Sequence, residues 1–150
     1  MNNDLPKEGT DKPDADQFGR RLPQGVGINL LVTDMSTSLK FQTDVLGAKV
    51  TYWDQDFAIV TAFGSTWMLH NDRTYHSHPL AGIAKAAEGR GAGAELRLYG
   101  RDPDVAAAAA SELGAIVLAE PADKPHGLRE AYILDPDGYL WVPSIPKMST

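Results

Sequence analysis

The sequence repeats itself, and this repeat constrains the fold more than any other feature. Residues 46–50, LGAKV, recur as LGAIV at 113–117, and GSTW at 64–67 recurs as GYLW at 138–141. Both matches fall in the same order within two stretches whose patterns predict a strand, a helix and three strands. Because chance recurrence would have to satisfy both sequence position and element order, we expect two copies of one βαβββ unit.

The hydrophobic periodicity predicts the elements of each unit. In the first unit, a strand is predicted at residues 25–34 and a helix at 36–45. In the second unit, a strand is predicted at 94–99 and a helix at 104–113. The remaining strands are predicted at 50–53, 57–63, 66–70, 115–119, 128–134 and 139–142. A long connection, residues 71–93, separates the units. The expected core residues are Leu30, Val32, Leu98, Ile133 and Leu134 from strands and Phe41, Val45, Val105 and Leu113 from helices.

Composition narrows the possible partners. The 150 residues suit one domain, and a net charge of −6 disfavours nucleic acid. The absence of cysteine excludes disulfides, thiolate metal sites and a cysteine nucleophile, and is compatible with a cytoplasmic location, which we expect. Because no apolar run approaches the roughly 18 residues that a bilayer crossing needs, we expect no membrane partner.

The chain divides into an arm, a domain and a tail. Residues 1–24 are polar and contain three prolines, which predicts a flexible N-terminal arm or, alternatively, an arm that packs on a partner subunit. The domain is expected at 25–146, with a first module at 25–71 and a second at 94–146. Residues 147–150 are expected to form a tail. Pairing the two modules would bury their apolar surfaces and leave a cleft suited to a small molecule.

Three segments resemble a known family. They are residues 32–41 (VTDMSTSLKF), residues 46–48 (LGA) and the DPDGYLW of residues 135–141. Together with the paired βαβββ pattern, they resemble the vicinal oxygen chelate superfamily, which includes glyoxalase I, bleomycin-resistance proteins and extradiol dioxygenases. The resemblance covers residues 25–146 and implies an α+β fold, in which two paired βαβββ modules form a cleft of curled sheets.

The resemblance also implies where a divalent metal would bind. Such enzymes use His, Glu or Gln on the first and last strand of each module, and the corresponding positions here are Gly27, Met68, Glu95 and Val142. Glycine and valine have no donor side chain, and methionine is a poor ligand for hard divalent ions. Since only Glu95 could bind, we expect no metal and no other cofactor.

An alternative metal site remains open near Met68. His70 lies two residues further along the predicted strand and therefore on the same face. A rearranged site would combine His70 with Glu95, and a third donor would come from the connection, as His76 or His78. Otherwise His70 forms a hydrogen bond at the mouth of the cleft, and the two loop histidines face solvent.

Glu95 is the candidate catalytic residue, because it is the one acid that the strand count places on the cleft wall at a family ligand position. A carboxylate there should take Arg129 or His70 as a partner, or resist ionisation and act as a general base. Alternatively, Glu95 is a surface residue paired with Arg97, two positions along the strand.

Further residues are candidates for ligand binding. With Glu95, they are Asn29, Met68, His70, Arg129 and Tyr132. Arg129 would offer a bidentate fork to a carboxylate or phosphonate. Alternatively, it forms an ion pair with a nearby acid, namely Glu130, Asp135 or Asp137.

Three functions are compatible with these residues. The first is a bleomycin-resistance-like protein that binds a small organic molecule in the cleft without a metal. The second is a metal-dependent lyase, isomerase or dioxygenase, and the third is a metal-free enzyme with Glu95 as its base. The sequence alone does not decide whether the protein is an enzyme. We expect a homodimer, because a second subunit can complete such a cleft.

Overall fold

In the computed structural model, which describes residues 5–149, the strands form two four-stranded sheets. The helices are α1 (Ala15–Arg20), α2 (Met35–Asp44), α3 (Ala81–Ala86) and α4 (Pro103–Leu113). The strands are β1 (Asn29–Val32), β2 (Lys49–Trp53), β3 (Phe57–Ala62), β4 (Ser65–Asn71), β5 (Leu96–Tyr99), β6 (Ile116–Asp123), β7 (Leu128–Leu134) and β8 (Leu140–Pro146). A 3-10 helix spans Asp72–Tyr75. The first sheet has the order β1-β4-β3-β2, and the second has the order β5-β8-β7-β6.

The two sheets share one topology. β1 pairs in parallel with β4 as β5 does with β8, and the other pairs are antiparallel. The register also shifts at equivalent places, between Val50 and Tyr52 in β2 and between Val117 and Ala119 in β6. The two βαβββ modules predicted from the repeat are therefore confirmed, and the sheets do not close into a barrel.

Each long helix begins at a capping aspartate. The Asp34 carboxylate accepts a hydrogen bond from the Thr37 amide at 2.8 Å, and α2 starts at the next residue. Asp102 does the same for α4 through the Asp104 amide, also at 2.8 Å. The caps therefore fix where α2 and α4 begin.

The core lies on the helix side of both sheets and is shared between the modules. Trp67 and Trp141, related by the repeat, are buried there with ring centroids 5.4 Å apart. The Trp67 indole N–H donates to Gln42 at 2.9 Å, and that of Trp141 donates to Asp135 at 3.1 Å. The two modules are thus joined through their helix-side faces.

The expected core is confirmed except at Val105. Leu113 and Leu134 are half-buried, and the buried members of the expected set are Leu30, Val32, Leu98, Ile133, Phe41 and Val45. Val105 is 51% exposed, so its predicted core position is wrong. The buried face of α4 is formed by Ala106, Ala107 and Ala110, whose small side chains let the helix approach the sheet closely.

The DPDG turn, residues 135–138, locks the second module onto the first. Asp137 accepts hydrogen bonds from the amide and hydroxyl of Thr33 at 3.1 and 2.9 Å, and from the Ser38 hydroxyl at 3.4 Å. Gly138 has a φ of +90°, and a Cβ there would lie 2.9 Å from the Cα of Gly89. Only glycine therefore fits this turn, as its sequence predicted.

The connection supports the same junction. The Arg90 guanidinium is buried, donates to the Leu31 carbonyl at 2.9 Å, and forms a bidentate pair with Asp72 with both distances at 2.7 Å. The connection also contains α3 and the 3-10 helix, which the apolar periodicity did not predict.

The expected N-terminal arm contacts the first sheet over its described part. Residues 15–20 form α1, and the Gly9 amide donates to the Trp53 carbonyl at 2.7 Å. Residues 1–4 of the expected arm and residue 150 of the expected tail lie outside the described residues. None of the helices within residues 5–149 has the length and apolar character needed to cross a membrane.

Replacing Asp137 tests the junction between the modules. Asp137→Ala leaves the Thr33 amide without its acceptor, so we expect the free energy of unfolding to fall by about 1–3 kcal/mol. Chemical denaturation measures this change. Asp123→Ala is the control, because the Asp123 pair with Arg129 is exposed and should contribute less than about 1 kcal/mol. Equal effects of the two substitutions would contradict the assignment of Asp137 as the lock.

A pH dependence is expected from Asp135. Burial raises the pKa of Asp135 to about 6, although three N–H groups donate to its carboxylate. Because the native state then binds the proton more tightly than the unfolded chain, this contribution to stability is present at low pH and is lost as pH rises through 6. Denaturation midpoints at about pH 5 and about pH 7.5 should differ less in Asp135→Asn than in the wild type.

Candidate functional site

The outer face of each sheet, which is the face turned away from its helix, holds the candidate site residues. In the first sheet, the register places Asn29, Met68 and Ile59 in one row and Leu31, His70 and Phe57 in the next. These side chains alternate with the core residues along each strand. Asn29, Met68 and His70, all predicted as ligand-binding residues, therefore share one surface.

Aromatic side chains run across this outer face. The Phe57 and His70 rings lie 4.9 Å apart, His70 and Tyr75 lie 5.2 Å apart, and Tyr75 and His78 lie 4.7 Å apart. The Asn29 amide donates to the Tyr75 hydroxyl at 2.7 Å and fixes that ring. We call Phe57, His70, Tyr75 and His78 the aromatic strip. Phe57 and Tyr75 were not among the residues predicted from the sequence, although a hairpin that turns at Phe63 and Gly64 pairs Phe57 with His70.

His70 is the titratable member at the centre of the strip. Burial and the nearby Lys12 ammonium lower its pKa, whereas Asp54 opposes this shift. The imidazole is therefore neutral at pH 7, with one nitrogen as a donor and the other as an acceptor. A cavity of about 540 Å³ adjoins the strip, between Leu31, Tyr75 and α3.

The outer face of the second sheet is charged. Arg97 donates to Glu95 at 2.9 Å and also to Glu130, whose side chain is 1% exposed. The Tyr132 hydroxyl donates to the other Glu130 oxygen at 3.2 Å, and His126 lies 3.4 Å from the carboxylate. Burial opposes ionisation of Glu130, but the hydrogen bonds from Arg97 and His126 outweigh it and lower the pKa. Glu130 is thus a buried carboxylate that stays ionised.

Two predicted site residues lie elsewhere than expected. Glu95 is 43% exposed and pairs with Arg97, which matches the surface alternative. Arg129 lies on the helix side of β7, because its neighbour Glu130 occupies the outer face. Its guanidinium binds Asp104 at 2.7 and 2.8 Å and Asp123 at 3.2 Å, so the expected partners and the expected cleft position are both corrected.

The donor set does not fit the divalent metal of the resembling enzymes. Gly27 and Val142 supply no donor, and Val142 is fully buried. Of the alternative donors, Glu95 pairs with Arg97, and His70 packs between Phe57 and Tyr75. The ring of His76 lies 3.1 Å from the Arg73 carbonyl, and His78 accepts from the Leu80 amide at 3.0 Å. Across residues 5–149, no three His, Asp or Glu side chains are grouped to hold a metal ion.

A family model settles the kinship of the chain. The model of the Glyoxalase/Bleomycin resistance protein/Dioxygenase superfamily matches residues 26–142. The chain belongs to this superfamily. The resemblance found in the sequence is thereby confirmed, and superfamily membership also accounts for the paired modules. No curated protein matches the chain.

Solved structures show the same fold at low identity. A glyoxalase-related enzyme from Fulvimarina pelagi has a TM-score of 0.65 and 19% identity, over 83% of this chain and 88% of that chain. A superfamily enzyme from Burkholderia phytofirmans has a TM-score of 0.65 and 15% identity, over 80% of this chain and 96% of that chain. The fosfomycin resistance protein FosX from Mesorhizobium loti has a TM-score of 0.59 and 12% identity, over 85% of this chain and 95% of that chain. At these identities the likeness shows the fold alone.

The charged network on the second sheet is tested through Tyr132. Burial raises the pKa of Tyr132, and the Glu130 charge adds to this shift. Glu130→Gln should therefore move the Tyr132 pKa down toward its ordinary value, as measured by NMR titration of the labelled tyrosine ring. Glu95→Gln is the matched control and should produce a smaller change. An unaltered Tyr132 titration in Glu130→Gln would show that the network does not form.

Proposed function

We propose that this protein binds a small planar aromatic molecule against the outer face of the first sheet, without a metal ion. The observation that carries this proposal is the aromatic strip, in which successive ring centroids lie 4.7–5.2 Å apart in tilted or edge-to-face contact. Aromatic pairs contribute about 0.5–1.5 kcal/mol each beyond the area that they bury. A planar ligand would extend the strip and exchange its hydration for such contacts.

The surroundings of the strip support binding. A cavity of about 540 Å³ lies at the Tyr75 end of the strip, and Tyr75 is the strip residue that lines it. Asn29 and neutral His70 supply hydrogen-bonding groups beside apolar Met68, a combination that orients a ligand without requiring it to be charged. The poor fit of the donor positions to a divalent ion favours this function over the metal-dependent alternative.

A homodimer would complete the site. Within residues 5–149, no hydrogen bond, ion pair or aromatic contact joins the outer faces of the two sheets. We propose that the charged outer face of a second copy covers the aromatic outer face of the first, which would create the cleft between modules. We also place the protein in the cytoplasm, in keeping with its lack of cysteine.

Acid–base catalysis has weaker support. The Glu95 side chain is 43% exposed and is ion-paired with Arg97, so it is not enclosed beside a bound substrate. Glu130 is enclosed by Arg97, His126 and Tyr132, and its lowered pKa makes it a poor proton acceptor near pH 7. The structure therefore favours binding over proton abstraction.

Binding is tested with 2-naphthol, a planar probe of two fused rings. We expect it to shift the NMR signals of the Met68 methyl group and the His70 ring, with an affinity that EDTA or added Zn²⁺ does not change. Met148 is the internal control, because it is 88% exposed in the tail. His70→Ala should weaken binding by roughly 2–10-fold through loss of one aromatic contact. Binding that appears only with metal would support the metal-dependent alternative instead.

A further inference from the structure

Phe57 is buried on a face where the sheet itself provides no cover. Its side chain points away from the helix-side core, yet only 6% of the residue is exposed. The cover comes partly from the N-terminal segment: the Phe18 ring stands edge-on to Phe57 with centroids 5.9 Å apart, and the Lys12 ammonium lies 5.6 Å from the Phe57 centroid. One end of the aromatic strip is thus enclosed by residues outside the two modules.

The segment that provides this cover is fastened at the edge of the first sheet. We call residues 5–22 the strap. The Gly9 amide donates to the Trp53 carbonyl at 2.7 Å, and the Trp53 indole donates to the Pro6 carbonyl at 2.7 Å. A Cβ at Gly9 would lie 2.2 Å from the Tyr52 ring, so any other residue there would require that ring to move. These contacts fix where the following residues cross onto the outer face.

Beyond this anchor, the strap is lightly attached. α1 contains no buried residue, although Asp14 caps it and Arg20 pairs with Asp16 within the helix. The described aromatic contact between α1 and the sheet is that of Phe18 with Phe57. Phe18 thus covers one end of the strip, while the rest of α1 buries little surface against the sheet. Phe18 is therefore placed to contact a ligand on the strip.

We propose that the strap is a wall of the ligand site, and that Phe18 contacts the bound molecule and limits its length along the strip. This inference rests on the proposed function. A planar molecule packed against His70 would extend toward Phe57 until it met the Phe18 ring. Phe18 therefore selects short planar molecules over long ones.

The experiment compares two planar phenols of different length. 2-Naphthol has two fused rings and 1-hydroxypyrene has four. In Phe18→Ala, we expect 1-hydroxypyrene to bind at least about tenfold more tightly than in the wild type, because the end of the strip opens, while 2-naphthol changes by less than about threefold. Leu22→Ala is the matched control, since Leu22 lies on the strap just beyond α1 and is exposed.

A second measurement reports the position of the strap without any ligand. NMR titration should show the His70 pKa moving up toward its ordinary value in Phe18→Ala, as burial is lost, and in Lys12→Met, as a neighbouring cation is removed. Leu22→Ala should leave the His70 titration unchanged. A strap with a merely structural role would alter stability but not the preference between the two probes.

The outcomes separate this inference from the proposed function. If Phe18→Ala changes the affinities for both probes by the same factor, Phe18 does not limit ligand length, yet the aromatic site stands. If His70 titrates alike in all variants, the strap does not lie over the strip and the inference also fails. If neither probe binds the wild type or any variant, both the inference and the proposed function are wrong.

Discussion

The structure depends on the burial of the helix-side faces of both sheets in one common core. A single module, with one four-stranded sheet and one helix, is too small to bury much apolar surface. Packing the two modules together increases the apolar surface that each one buries. Trp67 and Trp141 meet at its centre, and each indole N–H finds a buried acceptor. Once the helix sides are committed to this core, the outer faces are left for other contacts.

The two outer faces have diverged although the modules share one topology. The first carries the aromatic strip with a neutral histidine, whereas the second carries Arg97 between two carboxylates. Metal-binding side chains are missing from three of the four positions where the resembling enzymes use them. A site between the outer face of the first sheet and the outer face of the second sheet would present aromatic rings on one side and charged hydrogen-bonding groups on the other.

The fold could be predicted from the sequence more fully than the site. The repeat and the apolar periodicity identify both modules, because each strand needs only its own pattern to be recognised. Strand alternation also placed Met68 and His70 on one face of their strand. Arg129 was misplaced because no pattern fixed the face of its strand, and the pairing of Arg97 with Glu130 as well as with Glu95 was not predicted. The strap was missed because a polar segment gives no periodic signal, and its position depends on single contacts with Trp53 and Tyr52.

The register shifts and the strap have a consequence for how the protein behaves at high concentration. A sheet edge with free N–H and C=O groups is a template on which another chain can add a strand and begin to aggregate. The edge strands β1 and β5 have only four residues each, β2 is partly covered by the strap, and β6 is interrupted by two register shifts. Every sheet edge within residues 5–149 is therefore short, covered or irregular, which leaves no long straight template there for fibre growth.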